Sequence, residues 1–392
     1  MGAARARRWA SLPAVHSAVV VGAGTFGASL AWRLAREGVA VTLVDQYEPG
    51  DTRSTSGGES RLIRSGHGAD ALYTASARRA RALWRELEAE SGEDLLVESG
   101  LTWFAHAEDG WEAATMRAFA AQGIPYERLA VEEGARLFPS WSPSGLAFLL
   151  HEPEAGVLRA QRAVRALARQ AAAHGAAVVR ARATPDGDVV RLDDGRTLEA
   201  DAVVWCCGAW LGGLFPGVAP VSSTCQELYF FAGGPAWRAA GVPAFVDYDA
   251  AIYGTRDLDE LGVKAASDHD GPPLAPDAPL PPASSAGEAA VRAFLAERFP
   301  ALAAAQLTAA KTCRYELTPD GHFLAARHPE QPSVWLLGGG SGHGFKHGPA
   351  MAERLAAALR DGADLPARFG LGERVPGRSV RTAGGSRSPT GD

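Results

Sequence analysis

The sequence predicts an α/β fold, in which a domain on a parallel sheet carries a second, mixed-sheet domain inserted between its segments. Three observations carry that expectation. Near the start, SAVVVGAGTFGASLAWRLAREGVAVTLVD reads as strand, glycine turn, helix and strand, which is a βαβ unit. Strand-like runs that end in glycine return much later, at DAVVWCCGAW and VWLLGGG. Between those two, from Glu227 to about Leu307, the texture changes to short strand-like pieces broken by a proline-rich loop.

Each element has its own signal. Ala18 to Val21 is β-rich, Ala28 to Arg36 has helical periodicity, and Val39 to Val44 is a second strand closed by Asp45. Helices are expected at about Ala71 to Ser91 and at Ala160 to His174, the latter leading into a strand at Ala177 to Arg180. DVVRLDD and RTLEADAVVWCCGAW read as a hairpin flowing into a buried strand that ends at Gly208. ELYFF, AFVDY, AIYG and GVKAAS are strands, followed by a loop at Pro272 to Pro282 and helices at Ala286 to Arg298 and Pro349 to Leu359. No internal repeat is visible. Residues 16–90, 151–225 and 308–368 are therefore expected to form the first domain, and 91–150 and 226–307 the second. The first 15 residues and the Gly-, Ser-, Pro- and Arg-rich stretch 373–392 are expected to be disordered.

With 392 residues, 46% of them hydrophobic and 21% charged, the chain can bury a large core. A net charge of −6 argues against nucleic acid or an anionic membrane as the main partner. Cys206, Cys207, Cys225 and Cys313 show no metal-ligand spacing and suit reduced, buried thiols, so no metal and no disulfide framework is expected. The start lacks the continuous apolar stretch of a secretory signal, and the apolar runs are too short to span a membrane. The expected location is the cytoplasm.

Gly22, Gly24 and Gly27 form GxGxxG between a strand and a helix. Glycines there permit a tight turn and close approach of the backbone to a pyrophosphate, which the helix N-terminus attracts. Asp45, at the end of the second strand, is placed to accept ribose hydroxyls. This is the fingerprint of a Rossmann-like domain for NAD or FAD; the length of the chain and the glycine-ended DAVVWCCGAW favour FAD, by analogy of fold. Cys313 lies between Lys311 and Arg314, cations that would lower its pKa and make it reactive; the competing reading is a small residue buried in a strand. In GGGSGHGFKHGPAMAERLA a strand ends at glycines and a helix begins near Gly348 or Pro349, so the helix dipole and Lys346 concentrate positive potential. Arg61 and Arg64, in ESRLIR, have the chemistry to grip a carboxylate.

In order and spacing, VVVGAGTFGASLAWRLAREGVAVTLVD, ESRLIR, TCRYELTPDGHF and GGGSGHGFKHGPAMAERLA resemble the monomeric sarcosine oxidase and N-methyltryptophan oxidase family, over about residues 17–365. The resemblance implies an FAD-binding Rossmann-like domain with an inserted mixed-sheet substrate domain. It implies FAD lying against Gly22, Gly24, Gly27, Asp45, Gly342 and Gly344, and joined by a thioether to Cys313 in a CxYxxTPDxxF motif. By the same resemblance Arg64 and Lys346 take the substrate carboxylate and Arg61 lies nearer the flavin. Lys264 promotes reaction with oxygen, and Tyr253 and Tyr315 flank the pocket. The implied reaction oxidises the C–N bond of a secondary or N-methyl amino acid, giving an imine and hydrogen peroxide. The partners are that small molecule and oxygen. Two alternatives stand beside it: an oxidase of a cyclic imino acid of the pipecolate or piperideine carboxylate type in a biosynthetic pathway, and an FAD-bearing binding protein or subunit without turnover. The chain departs from the family at several places. Ser56 and Gly57 stand where the family has histidines, Ala326 where it has an acidic residue, and Asp268 where it has a histidine, with His269 following. Arg256, Asp257, Asp259 and Glu260 add charge beside the pocket wall, which points to a substrate other than sarcosine.

Overall fold

The computed structural model describes residues 15–376 and Arg381, so most of the two expected tails lies outside the described residues. Ser17–Val21, rich in valine, is buried on both faces and takes a central place in a six-stranded sheet. Across the sheet the strands run Leu324–Arg327, Val334–Gly338, Ala202–Trp205, Ser17–Val21, Ala40–Asp45 and Ala177–Arg180. All neighbours are parallel except the first pair, which is antiparallel. The helix Thr25–Arg36 begins at Gly24 and carries Arg33 and Arg36 in its last turn, where their charge suits the helix dipole. It packs with Ala71–Ser91, Ala160–Ala173 and Gly348–Asp361 over one face of the sheet, around Leu30, Trp32, Trp84, Leu167 and Leu355. The second face is covered by the small sheet Ala183–Asp186, Val189–Leu192 and Thr197–Leu198, through Val190 and Leu192.

The larger sheet has eight strands, in the order Leu307–Leu317, Ser222–Phe231, Val263–Ser267, Ile252–Asp257, Ala244–Asp247, Leu101–Ala105, Phe148–Glu152 and Glu127–Leu129. It is mixed, because Ala244–Asp247 and Leu101–Ala105 run parallel while the other pairs are antiparallel. The helix Ser285–Arg298, capped by Ser284 through the Gly287 N–H, covers one face over Phe104, Trp237, Phe245 and Phe299. Ser222–Phe231 and Leu307–Leu317 pair along almost their whole length, and the expected boundaries at 225/226 and 307/308 fall inside them.

A third, three-stranded sheet of Ser60–Ile63, Gly156–Arg159 and Leu96–Val97 lies beside these two. Within ESRLIR the residues Ser60–Ile63 are extended, with Arg64 just past the strand's end, and Arg61 and Arg64 have different surroundings. No helix among the described residues is long and apolar enough to cross a membrane.

Candidate active site

The GxGxxG turn forms one wall of a cleft enclosing about 1110 Å³ of empty space, mouth included. Gly22 has φ +104°, and a Cβ there would overlap the Cys206 carbonyl. On Gly27 a Cβ would overlap the Gly22 carbonyl oxygen, so both glycines are fixed by protein packing. Gly24 differs: its Cβ would come no closer to protein than 3.1 Å, to Ser56 Oγ, and it faces the cleft. Its smallness therefore serves whatever enters. Ser56, in place of the family's histidine, accepts the Thr25 N–H at 2.9 Å and caps the helix. Asp45 lines the cleft and accepts the N–H groups of Ala23 at 2.5 Å and Tyr47 at 2.8 Å. Burial raises its pKa, and those two hydrogen bonds oppose the rise.

The opposite wall comes from Leu307–Leu317 and the turn after Val334–Gly338. Gly342, at φ +74°, leaves room for Tyr315, whose Cε2 would lie 2.7 Å from a Cβ; Gly344 packs against Gly340, with a Cβ 2.5 Å from its Cα. Glu316 projects into the same wall. One carboxylate oxygen accepts the Gly340 N–H at 2.8 Å, and the second is buried with no partner. Burial raises its pKa to about 7. An orphaned acceptor and a glycine-lined wall fit a ligand with hydroxyl donors, as FAD has in its ribityl chain. The sequence reading missed Glu316, because its partner Gly340 and its neighbour Gly208 are remote in the chain.

Arg61 donates to the carbonyls of Ser60, Thr55 and Gly57, at 2.9, 3.2 and 2.6 Å, and lines the cleft. Arg64 is buried, lies 4.8 Å over the Trp103 ring and donates to the Gly66 carbonyl. That is its only hydrogen bond among the described residues, so its other N–H groups are available. Burial lowers its pKa to about 10, against the pull of Glu152 and Asp268. Lys346 is equally buried, and its Nζ donates to the His343 carbonyl at 2.9 Å. Burial drives its pKa well down, and the charge of Arg64 adds to that. A buried lysine whose charge is opposed by burial and by a buried arginine is relieved when an anion joins them. His67, His343 and His347 surround them, with His67 Nε2 3.4 Å from His347 Nε2. Together these histidines could offer one ligand atom each within 4.8 Å, yet burial and the charge on Lys346 depress all three, and the same field opposes a metal dication.

Lys264 is buried, with Nζ 3.3 Å from both the carbonyl and the hydroxyl of Ser60 and 5.7 Å from the Tyr253 ring. Burial, reinforced by Arg61, lowers its pKa to about 8. Tyr253 and Tyr315 are half-buried, and burial raises both their pKa values. Cys313 packs among Leu228, Phe230 and Ala266, with Tyr253 and Tyr315 against the cluster. The expectation of a lowered thiol pKa is corrected here: burial raises it, and the cations that oppose the rise are Arg61 and Lys264. Lys311 pairs instead with Glu59, and Arg314 donates to the carbonyls of Arg53 and Ala278.

The segments that build these walls fall within the reach of a known family. Residues 17–358 match the family described as DAO, FAD dependent oxidoreductase. The chain belongs to that family. This oxidoreductase is similar to monomeric sarcosine oxidase from a Bacillus species, 31% identical over 365 residues, which covers 88% of this chain and 92% of the relative. It is also similar to N-methyl-L-tryptophan oxidase of Yersinia pestis, 26% identical over 357 residues, covering 88% of this chain and 95% of that one. L-proline dehydrogenase from P. horikoshii shares its fold, with a TM-score of 0.78 at 20% identity over 90% of this chain and 95% of the other. The α/β expectation and the flavin preference hold, and the protein is an FAD-dependent oxidoreductase.

Proposed function

We propose that this oxidoreductase oxidises the C–N bond of a secondary or N-methyl amino acid, giving an imine and hydrogen peroxide. The observation that supports the reading most is the pair Arg64 and Lys346, two buried basic side chains of which the first depresses the pKa of the second, next to a dinucleotide cleft whose lining reaches Phe345. A substrate carboxylate entering between them favours the charged form of Lys346 and is gripped on two sides. That grip fixes the orientation of the adjacent C–H bond. Bound FAD supplies a two-electron acceptor that oxygen can return to its oxidised form. The turn carrying Gly22, Gly24 and Gly27 and the carboxylate of Asp45 would hold its pyrophosphate and ribose, with Gly342, Gly344 and Glu316 along the opposite wall.

The amine must arrive neutral, because its lone pair drives loss of the hydride. Lys264, carrying a proton below about pH 8, places positive charge where oxygen takes up electrons. Cys313 would be the covalent anchor of the flavin. The cations opposing its buried-thiol character, Arg61 and Lys264, face the same pocket and favour the thiolate that attachment needs. The test is anaerobic mixing of the purified flavoprotein with sarcosine, N-methyltryptophan, proline, pipecolate and primary amino acids. Bleaching of the flavin band by a secondary or N-methyl member, with peroxide on readmitting air, is the expected result. No bleaching by any amino acid overturns the reading. Acid precipitation of wild type and Cys313→Ser tests the anchor: colour stays with the wild-type pellet and leaves the variant's.

A further inference from the structure

Asp268 and Asp270 follow the strand Val263–Ser267, and their side chains are each 16% exposed. Arg381 sets its guanidinium against both. Nη1 donates to the Asp268 carboxylate at 2.8 Å and to the Asp268 carbonyl at 3.1 Å, and Nη2 donates to the Asp270 carboxylate at 2.5 Å. The guanidinium carbon is 5.3 Å from the centre of the Tyr315 ring, and a Cβ on Gly342 would lie 2.6 Å from Nη1. The Tyr315 hydroxyl donates to the same Asp268 carboxylate at 3.4 Å. A cation supplied by the chain itself therefore occupies the pocket between Tyr315, Gly342 and the acid pair. Asp268 is also a counter-charge to both Arg64 and Lys346, so at least one of the two acids acts on the proposed anion clamp.

Carboxylates held this far from water are costly unless a cation meets them. Sarcosine, whose only cationic group is its reacting amine, offers nothing for them. Nor can they serve that amine, since a carboxylate beside it would hold it as an ammonium without a lone pair. We propose that Asp268 and Asp270, with the face of Tyr315, form a subsite for a cation on the substrate's side chain, so that the amino acid oxidised carries an ammonium or guanidinium group several bonds from its reacting carbon. Arg381 fills the subsite until the substrate displaces it. The inference rests on the amino-acid oxidase reading given above.

The purified flavoprotein is mixed anaerobically with Nα-methyl-lysine and with N-methylnorleucine, which match in chain length and differ in the terminal ammonium. The half-saturating concentration for flavin bleaching is expected to be at least tenfold lower for the lysine derivative. Asp268→Asn brings the ratio close to one. Arg381→Ala, which removes the internal competitor, lowers half-saturation by the lysine derivative several-fold and more than it does for the norleucine derivative. If Asp268→Asn does not fold, that second comparison decides. Equal half-saturation in the wild type, or preference for norleucine, overturns the subsite. If neither compound bleaches the flavin, calorimetric titration separates the two ideas. Tighter binding of the lysine derivative keeps the subsite and overturns the oxidase reading, whereas equal or absent binding overturns the subsite.

Discussion

The dinucleotide cleft and the cluster of buried charges proposed to take the substrate meet at Tyr315 and Gly342, but they are assembled by different means. In the cradle, one short βαβ segment is shaped by backbone against backbone, with Gly22 under Cys206 and Gly27 against the Gly22 carbonyl. In the cluster, charged side chains come from distant places in the chain: Arg64, Glu152, Lys264, Asp268, Lys346 and Arg381. Where backbone packs on backbone, as at Gly22 and Gly27, there is no space for a single added carbon. A site made of charges keeps its shape through substitution but changes what it will hold.

Adding that one carbon is the harshest way to break the comparison. Gly22→Ala should cost more than about 4 kcal/mol, because it combines φ +104° with overlap on Cys206; the protein is expected to be purified colourless, with a Tm lowered by many degrees. Removing a charge from the pocket should act on chemistry and spare the colour. Arg64→Ala and Lys346→Met are each expected to keep flavin and to slow its anaerobic reduction by roughly a thousandfold, or about 4 kcal/mol. Stopped-flow absorbance reads this directly, and loss of flavin from either variant would erase the distinction between the two regions.

Lys264 sharpens the comparison through pH. Its folded pKa, about 8, is depressed from 10.5, so the cation is present below pH 8 and is lost as pH rises through that value. Reoxidation by oxygen should accordingly slow above about pH 8, while reduction by substrate quickens as more amine becomes neutral. Lys264→Met should reoxidise about a hundredfold more slowly and without that pH dependence, as followed by return of the flavin band in aerated buffer. The smallest effect belongs to Glu316→Gln in a Cys313→Ser background, where FAD can dissociate. Burial sets the Glu316 pKa at about 7, so the better acceptor, the carboxylate, forms as pH rises through 7. Affinity for FAD in the background protein should improve over that range, and the amide should weaken binding by about 1–2 kcal/mol and flatten the profile.

What the sequence could reveal follows the same division. Gly22, Gly24, Gly27 and Asp45 were legible because the turn, the helix and the closing acid are contiguous. The helix at Ala71 to Ser91 was legible to the residue, having a capping Asp70 at one end and Gly92 at φ +68° at the other. The environment of Cys313 was not. Sequence neighbours on a strand point to opposite faces, so Arg314 was carried away from the thiol, Lys311 was claimed by Glu59, and Arg61 and Lys264 arrived from other strands. Glu316 and Arg381 were invisible for the same reason: an orphaned oxygen, or a guanidinium set against two carboxylates, exists only after distant segments meet. Asp268 registered only as a departure from a family pattern, with no hint of its partner.

The claim on which the account turns is that Arg64 and Lys346 hold a carboxylate for oxidation beside the flavin. Its most direct test compares anaerobic flavin reduction by N-methylalanine with reduction by its primary carboxamide, in wild type and in Arg64→Ala. The account predicts at least hundredfold faster reduction by the carboxylate in the wild type, and collapse of that ratio in the variant. Equal rates for acid and amide in the wild-type protein would contradict it.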